Sequence, residues 1–298
     1  MPLTYQTMSL SPIQNHTFTF PDTISQFAVG ISSFYFAFSE DHHVQQISLA
    51  LTSNQVAPTQ VSVAVNGVLS DASGNTVDLS KSYVTVVVVA WTGATTTTNL
   101  LSAPFSVASG SNNESPPISL PDSFHSILQA CMSGFYLAYP QTDHHVLNVN
   151  ASVGSTANGS DGYITVTANM SDDSGNTAQN PTGTGFLIAS SDKIPSFIVV
   201  PYTAQNAGQQ TIPMGSVKLS DAFVLLTGFQ VQFPDNDDHE ISNIGAGPNT
   251  WVCQSDDTGS KVVSSGVWAW MGNDDGDAQD MSLSSASVIA VGILDQSE

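Results

Sequence analysis

Three short runs set carboxylates beside imidazoles: Asp41-His42-His43, Asp143-His144-His145 and Asp238-His239-Glu240. Imidazole nitrogen and carboxylate oxygen together hold divalent metals, and histidine changes charge near neutral pH. These residues are therefore candidates for a metal site or for an interface sensitive to cations and acid. Adjacent side chains of an extended strand point to opposite faces, so one corner cannot easily offer both histidines to one ion. A site needs a second corner, from this chain or another. The plainer reading is a structured bend, with histidine stacked on nearby aromatics and aspartate capping the turn.

Two acidic stretches come next. Asp235 and Asp237 lie in one, and Asp274, Asp275, Asp277 and Asp280 lie around Gly276 in the other. Spaced carboxylates about a glycine suit calcium, although no glutamate closes either loop at EF-hand spacing. They are calcium-loop candidates, with a solvated acidic loop as the alternative. Trp268 and Trp270 share one face of an alternating run. Exposed, they form a stacking platform for sugar rings; buried, they are core.

Nucleophile elbows, phosphate loops, His-Glu-x-x-His and Cys-x-x-Cys are absent. No catalytic residue is assigned, the protein is read as non-enzymatic, and no cofactor is required. Calcium or another divalent cation is the ion the sequence accommodates.

The elements that position these residues repeat. Aromatic runs beginning at Phe34, Phe135 and Phe229 lead into the three corners, so those three phenylalanines are expected at equivalent places. Turn-type sequences follow at Asp71–Asn75, Asp172–Asn176 and Asp256–Ser260. His42 and His144 are 102 residues apart, and His144 and His239 are 95 apart. Asp71 and Asp172 are 101 apart but Asp172 and Asp256 only 84, which makes the third copy the most diverged.

Short alternating segments punctuated by Gly, Asn and Asp indicate an all-β chain. Strands are expected near 18–20, 24–38, 45–51 and 84–91, and at 61–65 before a tight Asn66-Gly67 turn. Ser123–Met132 reads as strand or short helical turn, and Val262–Trp270 as one strand. The expected architecture is three tandem antiparallel β-sandwiches of jelly-roll or lectin-like type, at 1–110, 111–214 and 215–298. The unit, an aromatic strand passing through a polar corner into a Val/Ile-rich strand, resembles the H-type lectin sandwich. That resemblance implies a sandwich fold and assigns no binding residue.

Charge narrows the partners. The chain has 298 residues, four lysines, no arginine and a formal net charge of −21. Nucleic acid and anionic lipid both need basic surface, so neither is expected. No apolar run is long enough to span a membrane, and no signal peptide is visible at the start. Cys131 and Cys253 lie in different repeats and read as buried free thiols.

The leading expectation is a structural protein, a homo-oligomer or polymer forming an extracellular or particle-surface array. Salt, divalent cations or mild acid should promote its assembly. The alternative is a glycan-binding adhesin assisted by calcium. His43, His145 and Glu240 are expected partly exposed at an inter-unit or inter-chain contact, with His42, His144 and His239 holding the corners.

Overall fold

A computed structural model describes residues 3–94, 97–110, 113–123, 125–205, 210–234, 237–256, 259–264 and 266–295. Strand dominates, and no helix occurs among them, so none could cross a membrane. The first stretch gives β1 (Leu3–Leu10), β2 (Ile13–Thr19), β3 (Ile24–His42), β4 (Gln46–Ala57), β5 (Gln60–Ser70), β6 (Tyr83–Thr92), β7 (Asn99–Leu101) and β8 (Phe105–Ala108). The second gives β9 (Ile118–Ser119), β10 (Ile127–Ala138), β11 (Asn148–Asn158), β12 (Asp161–Ser171), β13 (Thr182–Ser190), β14 (Phe197–Ala204) and β15 (Gln210–Pro213). The third gives β16 (Leu219–Gln232), β17 (Ile241–Pro248), β18 (Trp251–Asp256), β19 (Gly259–Ser264), β20 (Val267–Gly272) and β21 (Ser285–Leu294).

The large sheets cross the expected boundaries. One runs β1-β6-β3-β17-β20, joining the first stretch to the third. Another runs β2-β5-β4-β10-β13-β7, with β8 also on β13, joining the first to the second. The last runs β14-β21-β16-β11-β12-β9, joining the second to the third. The small sheet β15-β19-β18 stands beside them.

Each large sheet is thus shared by two stretches, and each stretch supplies two large sheets. The sheets are antiparallel and several, as expected, but they are not three self-contained sandwiches. A hairpin such as β4–β5 buries one face by alternation and still presents an edge. The strand β10 from the next stretch covers that edge, pairing Phe135 with Leu49. The apolar faces of all three stretches meet in one main cluster.

Several local expectations change. Asn66-Gly67 makes no turn, because β5 runs through it and its buried Val61, Val63, Val65 and Leu69 continue on both sides. The β4–β5 reversal is at Pro58-Thr59 instead. The end of Ser123–Met132 belongs to strand β10, while Phe124 lies outside the described residues. Val262–Trp270 is divided between β19 and β20. Strand β6 fits its reading, with Val86–Trp91 buried throughout. Both cysteines are free; Cys131 is buried but Cys253 only half-buried.

The expected Asp256–Ser260 turn falls where the β18–β19 hairpin closes, but it is not the counterpart of the first two turns. Asp256 pairs with Gly259 across β18–β19, and residues 257 and 258 lie outside the described ones. The counterpart of the first two turns is Asn273–Asp277. Gly74, Gly175 and Gly276 share φ of 98°, 90° and 99°, and they stand 101 residues apart in both intervals. Such φ suits glycine, which has no Cβ to clash. In each turn the fifth residue donates its N–H to the first side chain at 2.7 Å: Asn75 to Asp71, Asn176 to Asp172, Asp277 to Asn273. The third turn exchanges Asp and Asn between its ends, which hid it from a pattern that begins with Asp.

Candidate functional site

The repeated motifs converge. The rings of Phe34, Phe135 and Phe229 pack mutually, with centroids 5.1–5.3 Å apart. Around them the corners join head to tail. Val44 and His144 exchange backbone hydrogen bonds of 2.8 and 3.0 Å, and Val146 and His239 do so at 2.8 and 3.1 Å. Ile241 pairs with His42 and closes the ring.

The corner aspartates fasten the same ring. Asp143 accepts the N–H of Ala72 at 3.1 Å, Asp238 that of Asp173 at 3.3 Å, and Asp41 that of Asp274 at 2.8 Å. Each corner therefore caps the turn of a neighbouring stretch. The first histidine of each corner works locally. His42 stands 3.5 Å from Asp71, His144 3.2 Å from Asp172, and His239 3.7 Å from Asp277. Their rings lie 4.9, 4.7 and 4.6 Å from those of Phe38, Tyr139 and Phe233.

The remaining positions face one another. His43 Nε2 is 3.0 Å from Glu240 Oε1, and the rings of His43 and His145 are 4.4 Å apart. One ligand atom from each of His43, His145 and Glu240 falls within 4.8 Å of the others. His145 Nδ1 lies 3.2 Å from Asp238, and His43 Nδ1 lies 3.9 Å from Asp143. Desolvation opposes the charge of Asp238, but hydrogen bonds from Asp173 and His145 outweigh it and hold the carboxyl below its usual range.

Asp41 differs, because it accepts the N–H of Asp274 and groups with the carboxylates of Asp274 and Asp275 rather than with a histidine. Desolvation, then hydrogen bonding to Asp274, then the charges of Asp274 and Asp275 push Asp41 up to about 6.

The acidic loops divide. Asp274 and Asp275 group with Asp41. Asp277 bonds within its turn to Asn273 and reaches His239. Asp280 accepts from the N–H and hydroxyl of Ser282. Asp237 donates its N–H to the carbonyl of Pro234, and Asp235 lies outside the described residues.

Where the first stretch meets the third, a cleft of about 540 Å³ opens on the sheet. Tyr35, Tyr83, Trp268 and Trp270 line it, with Lys81, Asn243 and Asn249 among its polar residues. Trp270 is 40% exposed and Trp268 half-buried, so the pair is not sealed core. Tyr35 stacks on Tyr83 at 6.0 Å and meets Trp268 edge-on at 6.3 Å. Burial pushes both phenols up, and Tyr35 adds to the effect on Tyr83. Gly245 makes the arrangement possible: a Cβ there would come 2.8 Å from the Trp268 ring. Trp268 Nε1 and Asn243 Oδ1 are buried there without a hydrogen-bond partner.

Sheet register identifies the same place in the other two shared sheets. Tyr35 opposes Tyr83 and Gly245, Tyr136 opposes Thr182 and Ser48, and Gln230 opposes Ser285 and Asn150. Trp270 corresponds to Val68 and Asn169, and Trp268 to Asn66 and Thr167. One junction of three therefore concentrates aromatics. Tyr35 and Tyr83 escaped sequence reading because they approach the tryptophans only through the β3–β17 pairing. Comparison with family models, curated proteins and solved structures returns no match.

Proposed function

We propose that the protein is a non-enzymatic glycan-binding protein acting outside the cell or on a particle surface, with the Tyr35–Tyr83–Trp268–Trp270 cleft as its site. The observation behind this reading is the asymmetry among equivalent junctions. Packing alone is satisfied by Tyr136, Thr182, Asn66 and Val68 at one of them, so the aromatic set answers a different demand. Sugar rings present apolar C–H faces to aromatic side chains and hydroxyls to amides and amines. Asn243, Asn249 and Lys81 supply such groups. A net charge of −21 without arginine favours neutral over anionic sugars. The corners, which sequence alone offered as contacts between units or between chains, meet within one chain, and this moves the weight from assembly to ligand binding. A glycan array probed with and without calcium tests the reading: neutral oligosaccharides should bind, and a blank array under both conditions would refute it.

A second reading, self-assembly into an array, draws support from β1, an eight-residue strand without proline at the edge of its sheet. Such an edge can add a strand from another chain. Light scattering from pH 4 to 8, with and without calcium, tests it, and a constant monomer size would remove it.

A further inference from the structure

The geometry points to a transition-metal site where the three corners meet, formed by His43, His145 and Glu240 and suited to a divalent ion of the zinc, cobalt or nickel class. Two imidazoles and one carboxylate are a donor set for such ions, leaving a position for water. Zinc bonds of about 2.0–2.2 Å in a tetrahedron place ligand atoms roughly 3.3 Å apart. His43 Nε2 and Glu240 Oε1 already stand 3.0 Å apart, and all three ligand atoms lie within 4.8 Å. The side chains of His43, His145 and Glu240 are 41%, 42% and 44% exposed, so an ion can reach them and small rotations can close the set.

The surroundings fit as well. A ligating histidine commonly has its second nitrogen held by a carboxylate, which fixes the ring and strengthens the donor. Asp238 stands on the Nδ1 side of His145 and Asp143 on that of His43. Each aspartate is itself fixed by a backbone N–H, from Asp173 and Ala72 respectively. Nε2 is then the ligand atom on both rings. One donor comes from each stretch of the chain, so a bound ion would fasten the ring at its centre. Calcium prefers an all-oxygen shell and should not compete.

The test uses the full chain after EDTA treatment. Zinc chloride is titrated by calorimetry and cobalt chloride by visible absorption. The expected result is one ion per chain, a higher melting temperature, the visible bands of four-coordinate cobalt, and no displacement by excess calcium. His145→Ala and Glu240→Gln should each weaken zinc binding at least about tenfold. Glu240→His should keep it, and Asp275→Asn should leave it unchanged. If His145→Ala fails to fold, the exposed Glu240 substitution decides. Failure to bind, normal binding by Glu240→Gln, or loss in Asp275→Asn, which would put the ion on the acidic group, overturns the proposal.

Discussion

Asp274 donates its backbone N–H to Asp41 Oδ1 at 2.8 Å, tying a turn of the third stretch to a corner of the first across 233 positions. The same link joins Ala72 to Asp143 and Asp173 to Asp238. Together with the backbone bridges, these contacts make three repeats into a closed ring, so cooperative unfolding of the whole is expected.

The first prediction concerns pH. Asp41 is raised from 3.8 to about 6, so the folded protein holds this proton more tightly than the unfolded chain. Its contribution is fully present below 3.8 and is lost as pH rises through about 6. Asp71 has the opposite sign. Desolvation resists its charge, but hydrogen bonds from the Asn75 side chain and from turn N–H groups prevail and lower it. Its contribution is lost as pH falls through that lowered value. Asp41→Asn should therefore raise the melting temperature most above pH 6 and flatten its slope between 4 and 6. An unchanged slope in calorimetric scans would count against the assignment.

The second prediction concerns the centre. Phe34 is fully buried and touches both Phe135 and Phe229. Truncating any of the three to Ala should cost roughly 3–5 kcal/mol in urea unfolding. Double-mutant cycles between any two should show coupling, because each ring touches the other two. Additive effects would show that the rings do not act as one cluster.

The fold class was legible because burial on one strand face leaves a period of two, as in β5. The aromatic runs and corners were legible because Phe34, Phe135 and Phe229 share one contact and so stay alike. The sharing of sheets was not legible: an edge satisfied by β10 looks in sequence like an edge satisfied by a neighbour of its own repeat. The third turn was missed for a different reason. A hydrogen-bonded Asp–Asn pair works in either order, and Asn273 with Asp277 uses the reverse of Asp71 with Asn75. Trp268 and Trp270 could be named from sequence, but the cleft also needs Tyr35 and Tyr83 from a distant segment.

The third prediction tests that corrected register. Gly74, Gly175 and Gly276 hold the same positive φ, and space is open around each. An alanine at any of them meets no neighbour and suffers only the backbone penalty, about 1 kcal/mol. Equal losses in the three variants, read by chemical denaturation, are expected. A neutral Gly276→Ala beside two costly partners would break the equivalence.

The most direct test of the account compares two equally exposed side chains from different junctions. Trp270 lines the aromatic cleft and Tyr136 lines its counterpart at the next junction, and each is 40% exposed. The strongest neutral oligosaccharide from the array is titrated into Trp270→Ala and Tyr136→Ala by calorimetry. Loss of one stacked indole, roughly 1 kcal/mol, should weaken binding by Trp270→Ala about fivefold or more and leave Tyr136→Ala at the parent affinity. Equal affinity in both variants, with their folds intact, would contradict the cleft as the site.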